Sequence, residues 1–336
     1  MAAAIRSGSP DLAHTGGVDR RRLARLTTAI GVAVAVAGVV FVVRAIAGER
    51  AEVADALDDA RPWWLVPAFA AGLAGMATVG SGWRAALHRL GVSAARRPLF
   101  FWYFAGQLGK YVPGGVWPLV GRGELARRGG VPRPVAYSSV VLSLGATYLA
   151  AALLVAVLIP VGLGAGGAAA AAAVAALVPL GLAVLHPAVL ARVVGLAERL
   201  AHRSLGVSVP TWGTGVALVA RHVPAWLLIG GATWSVARAL HPDPPLVELL
   251  YATTLSWVVG FVVVPVPGGL GVREAAFAAA ATPALSSGVA ATVAVVARVL
   301  FMVVDLTGAA VATALRPSES RPASPATPPG VGPSDS

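Results

Sequence analysis

The chain contains no cysteine, which excludes disulfides, thiol nucleophiles and thiolate metal ligands. Charge is scarce too, at 12% of 336 residues against 57% hydrophobic. Apolar runs longer than about 18 residues take up much of the rest, so a soluble core is excluded and a polytopic membrane protein is expected. Catalytic constellations are missing. His14, His88, His186, His202, His222 and His241 lack metal-ligand spacing, and no nucleotide-binding glycine loop or serine-hydrolase elbow is present. No cofactor or metal is expected, and a nucleotide-driven pump is disfavoured. Lysine occurs once, as Lys110, all other strongly basic residues being arginine.

The formal charge is +11. Such an excess can mark nucleic-acid binding, but here the arginines gather in loops beside apolar segments, the positive-inside pattern of membrane proteins. No nucleic-acid partner is expected. The pattern predicts a cytoplasmic (inner) membrane protein with both termini in the cytoplasm.

Residues 1–25 read as a cytoplasmic arm carrying Arg20, Arg21, Arg22 and Arg25. A first span follows over Leu26–Val43, with Ala45-Ile46-Ala47 resembling a signal-peptidase site but preceded by too long an apolar stretch. The acidic loop after it suits the outer side. Pro62–Trp83 is a second span, in which Trp63 and Trp64 stand as interfacial aromatics and Gly72 and Gly75 permit close helix contact. Val135–Ile159 and Gly166–Leu185 are plain spans, the latter rich enough in alanine and glycine to pack tightly. Pro187–Ser204 reads as an interfacial helix, and Trp212–Leu240 and Ser287–Leu315 as further spans. The Pro/Ser-rich stretch 316–336 reads as a disordered cytoplasmic tail.

Two apolar segments are interrupted. Leu99–Val120 is split at Pro113-Gly114-Gly115, and a second segment at Pro267-Gly268-Gly269 with Gly271 just beyond. Proline lacks an amide donor and glycine tolerates angles other residues avoid, so the helix stops at each. In lipid, irregular backbone survives only when buried in protein or lining a water-filled cavity. Each break therefore marks a membrane-depth site. The flanks of the first are arginine-rich and place its two short helices as a hairpin entering from the cytoplasm; the second would enter from outside. The expected fold is all-α, with about six full transmembrane helices and two re-entrant broken-helix hairpins in inverted halves, or alternatively eight full spans. The transmembrane domain covers residues 26–315.

Each break is followed by an arginine and a glutamate: Arg122 and Glu124 after the first, Arg273 and Glu274 after the second. At these residues the chain resembles the flippase-like family named after the transmembrane region of lysylphosphatidylglycerol synthase. The resemblance spans roughly Leu26–Leu315. It rests on Gly106-Gln107-Leu108-Gly109-Lys110-Tyr111-Val112-Pro113-Gly114, on Gly121-Arg122 with Glu124 and Arg127, and on Pro267-Gly268-Gly269-Leu270-Gly271-Val272-Arg273-Glu274. It implies movement of an anionic, amino-acylated or polyprenyl-linked lipid between leaflets. No aminoacyl-transferase domain follows Leu315, so lipid synthesis is not expected, and a lipid-modifying enzyme is an expected partner.

The candidate substrate-binding residues are Gln107, Lys110, Tyr111, Pro113, Gly114, Gly115, Arg122, Glu124, Pro267, Gly268, Gly269, Gly271, Arg273, Glu274, Arg298 and Asp305. A charge in mid-membrane costs roughly 2.5–3.5 kcal/mol on insertion scales, so each should face a polar cavity or a partner. Arg298 and Asp305 stand two turns apart on one helix face and either line an interior or form an ion-pair network. Arg273 and the Gly268–Gly271 backbone either bind phosphate at a helix start or hold the broken helices together. Lys110 either reaches the site or snorkels to the interface. His222 reads as a packed, hydrogen-bonded histidine. Three functions remain open: a lipid transporter, a membrane-embedded enzyme acting on lipid phosphates, and a scaffold for a lipid-modifying partner.

Overall fold

In the computed structural model of the chain, residues 36–37, 39–112, 116–162, 167–201, 209–262 and 269–315 are described. They form α-helices joined by short turns: α1 (Val39–Gly48), α2 (Arg50–Asp58), α3 (Leu65–Arg89), α4 (Arg96–Gln107), α5 (Trp117–Arg128), α6 (Arg133–Gly162), α7 (Ala168–Val184), α8 (Pro187–Ala201), α9 (Trp212–Leu240), α10 (Leu246–Val262), α11 (Val272–Ala281) and α12 (Ser287–Ala314). A helix satisfies its own backbone hydrogen bonds, which hydrocarbon requires. The protein is an all-helical, multi-pass membrane protein.

Four helical stretches are long and apolar enough to cross a bilayer: Pro62–Arg89, Arg133–Pro160, Trp212–Leu240 and Ser287–Ala314. These match four of the six spans expected. The first expected span, Leu26–Val43, lies largely outside the described residues. The Gly166–Leu185 span becomes α7, which bends by 64° into α8, Pro187 being unable to continue the hydrogen-bond ladder. α7 packs on α6 and touches α8, while Leu177, Leu180 and Val184 stay exposed. Where Gly181 faces α6, a Cβ would meet Leu153 at 2.6 Å.

The core is the α3–α9 pair, with α6, α10 and α12 packed around it. Small residues set the approach. A Cβ on Gly75 would lie 3.0 Å from Ile229 Cγ1 and 3.3 Å from Ala225 O, and one on Gly72 would lie 3.2 Å from Val304. Hydrocarbon gives no hydrophobic drive between helices, so such close backbone contact supplies the van der Waals attraction. At Gly82 there is room only for the buried ring of His222. That ring contacts Leu218 O at 2.7 Å and Ser143 Oγ at 3.4 Å, while the neighbouring Arg221 is exposed on the other side of α9.

Both interrupted segments fold back on themselves. α4 packs against α5 across the first break, and α10 against α11 across the second. With 12 residues each, α4 and α5 reach only about 18 Å at 1.5 Å per residue, short of the roughly 30 Å of hydrocarbon. The break tips, residues 113–115 and 263–268, lie outside the described residues.

At one end of the bundle Glu49 clamps the start of α12, which no side chain of its own caps. Its carboxylate accepts from Ser287 Oγ at 2.6 Å and from Gly288 N at 2.5 Å. Those bonds, Ser287's first, hold the Glu49 carboxyl below its ordinary range. The N-terminal helices are thus fastened to the helix that carries Arg298 and Asp305.

Candidate functional site

α12 ties down both breaks with ion pairs of opposite polarity. α4 ends in a tight turn, Leu108–Tyr111, that aims Lys110 and Tyr111 at α12. Lys110 Nζ forms an ion pair with Asp305, and Tyr111 Oη donates to Asp305 Oδ2 at 2.6 Å. Two turns earlier on α12, Arg298 Nη1 donates to Glu274 Oε1 at 2.7 Å. Asp305 is fully buried and Glu274 nearly so. A buried carboxylate without a cation is very costly. These pairs therefore fix where each hairpin sits on the bundle.

Glu274 does more than pair. Its Oε2 accepts from the amide of Gly271 at 2.7 Å, satisfying a free amide at the start of α11. Gly271 has φ 78° and Gly269 φ 67°, values that residues with a Cβ avoid. The anion expected at this helix start is accordingly the chain's own carboxylate at the Gly271 amide. A Cβ on Gly269 would stand 3.2 Å from Gly260 Cα, so the chain returning from the break lies directly on α10.

The remaining cations differ from these two. Arg122 of α5 is buried, donates to Gln107 Oε1, and lies over the Tyr103 ring, 4.4 Å from its centroid. Its Nε has no hydrogen-bond partner among the described residues. Arg273 stacks on Trp257, its Cζ 3.6 Å from the ring centroid, with Phe301 at 5.7 Å. Neither arginine has a carboxylate partner among the described residues.

All four cations line one cavity of about 260 Å³. Gln107, Tyr111 and Gly269 also line it, as do aromatic residues that sequence reasoning missed: Tyr103, Tyr148, Trp226, Trp257, Phe261 and Phe301. In the sequence these looked like ordinary apolar-helix residues. Their shared position appears only when α4, α6, α9, α10 and α12 come together. Tyr148 stacks on Phe261 at 3.7 Å between centroids, and Trp257 meets Trp226 and Phe301 edge-on. At the rim, Val116 and Phe261 are exposed, an apolar edge contributed by both interrupted segments.

Of the sixteen candidates, Gln107, Lys110, Tyr111, Arg122, Gly269, Arg273 and Arg298 line the cavity. Asp305, Glu274 and Gly271 stand behind that lining as its supports. Pro113, Gly114, Gly115, Pro267 and Gly268 lie outside the described residues. Glu124 does not join the site: it accepts from Arg127 at 2.8 Å and Arg128 at 3.0 Å on its own helix. Helical neighbours three and four residues away were simply nearer than the cavity, so its correspondence with Glu274 fails. Among the described residues no group of three or more histidines and carboxylates could hold a metal.

The family described as the lysylphosphatidylglycerol synthase TM region matches residues 28–308 of the chain. Among curated proteins no match was found.

Proposed function

The chain belongs to the family of the lysylphosphatidylglycerol synthase transmembrane region, and from that premise we propose that it is a lipid transporter, carrying a phosphate-bearing lipid between leaflets rather than converting it. The observation that carries this reading is the cavity. Four cations meet there and, among the described residues, two carboxylates answer them, so a headgroup phosphate entering it replaces its lost hydration with charge-assisted hydrogen bonds. The exposed apolar rim leaves the tails in the bilayer. The absence of a nucleotide motif in the sequence leaves the membrane potential, a proton gradient or the lipid gradient as the driver.

In this proposal the protein sits in the cytoplasmic membrane with both termini inside, and the two hairpins are re-entrant and inverted. The packing of each hairpin's two helices on one another supports it, as do the 12-residue helices of the first. Single cysteines can be introduced into the cysteine-free chain at exposed Asp58, Asp243, Arg96 and Arg133, and at Ser286. We expect impermeant maleimide added outside to label Asp58→Cys, Asp243→Cys and Ser286→Cys and to miss the other two. Outside labelling of Arg96→Cys or Arg133→Cys would overturn the topology.

The function itself is tested in liposomes holding labelled lipids of several headgroup classes. Catalysed redistribution of a phosphate-bearing lipid is expected from the wild type. Gly269→Leu, which puts a branched side chain at positive φ against Gly260, should abolish most of it while the protein still purifies as a folded monodisperse species. Chemical conversion of the lipid would instead identify an enzyme.

A further inference from the structure

Charge in the cavity can be counted among the described residues, and the undescribed break tips, residues 113–115 and 263–268, contain no ionisable side chain. Lys110 is matched by Asp305 and Arg298 by Glu274. Arg122 and Arg273 remain, one from each hairpin, with no ion-pair partner among the described residues; the groups they touch directly are neutral, Gln107 and Tyr103 for the first, Trp257 and Phe301 for the second. A guanidinium stacked on an aromatic face keeps its N–H edge open for a planar or tetrahedral oxyanion. Both side chains line the same cavity.

Resting on the transport reading, we propose that this site is built for a dianionic phosphomonoester, the terminal phosphate of a lipid, in preference to the monoanionic phosphodiester of ordinary phospholipid headgroups or to a zwitterion. A phosphodiester would neutralise one arginine and leave the other as an uncompensated charge at membrane depth, the costly condition the rest of the site avoids. A zwitterion would also bring an ammonium group towards carboxylates that Lys110 and Arg298 already hold. Size points the same way. At about 260 Å³ the cavity is below the roughly 300 Å³ at which pockets for larger ligands begin, which suits a bare phosphate with the first atoms of its tail and not a glycan. The aromatic wall of Tyr148, Trp226 and Phe261 then packs against those atoms.

The dianion exists only above the second phosphate pKa, about 6. Transport of a phosphomonoester lipid such as phosphatidic acid should therefore rise between pH 5 and 7.5 while that of phosphatidylglycerol stays nearly flat. At pH 7.5 the phosphomonoester should be favoured by about tenfold or more, the scale of one charge-assisted hydrogen bond. Arg122→Gln removes one positive charge and should bring the two lipids to within about threefold of each other, since a monoanion then balances the site.

The experiment has two arms. Liposome transport compares phosphatidic acid, phosphatidylglycerol and phosphatidylcholine; binding to the detergent-solubilised protein is measured for the same lipids and for inorganic phosphate. Equal or better handling of phosphatidylglycerol or phosphatidylcholine in both arms overturns the inference and leaves transport standing. Selective binding without movement of any lipid supports the inference and overturns transport. Inorganic phosphate binding more tightly than phosphatidic acid keeps the dianion and overturns its lipid source. Should Arg122→Gln fail to fold, the wild-type pH profile decides alone: a flat profile for phosphatidic acid refutes the dianion requirement.

Discussion

Asp305→Ala is expected to destabilise the protein by about 3–5 kcal/mol, read as a large fall in the thermal midpoint in detergent. The substitution removes a fully buried carboxylate that receives both Lys110 and Tyr111. It leaves the ammonium group of Lys110 without its counter-charge between Tyr111 and Trp257, and it detaches the α4 turn from α12. Lost packing is the lesser part, because aspartate is small. The cause can be isolated with a second substitution. Lys110→Met removes the stranded charge, so the double variant should recover much of the loss, with a favourable coupling of about 1–3 kcal/mol in the cycle. If the double variant is no more stable than Asp305→Ala alone, the ion pair is not what holds the first hairpin.

Arg273→Gln is expected to lower phosphate-lipid transport by about a hundredfold or more, the scale of losing two charge-assisted hydrogen bonds, with a thermal midpoint close to wild type. The two effects separate because Arg273 has no carboxylate partner among the described residues. Removing it strands no buried acid, whereas Arg298→Gln would strand Glu274. Glutamine can still lie across Trp257, where the guanidinium now stacks at 3.6 Å. Arg273→Lys keeps the charge but not the planar fork, and should restore only part of the activity. A variant that loses stability and transport together would make Arg273 a structural residue.

The sequence by itself determined the class of protein and the place to look. Long apolar runs with few charges require a membrane, and Pro-Gly-Gly inside two of them requires irregular backbone shielded from lipid. Lys110, Arg122, Arg273 and Arg298, too costly to leave in bare hydrocarbon, were expected to face either a polar cavity or a partner. That Arg298 and Asp305 share one face of their helix followed from helical period. Tertiary structure decided the partners. Lys110 pairs with a residue almost two hundred positions away, and helical period cannot say which distant helix will face a side chain. Glu124 and Glu274 occupy like positions in the sequence. One nevertheless turns to its own helix and the other to α12, because only α11 is packed beside α12. The aromatic wall was illegible for the same reason: aromatic side chains stabilise any apolar contact, and only the meeting of α4, α6, α9, α10 and α12 turns them into one surface around two unmatched arginines.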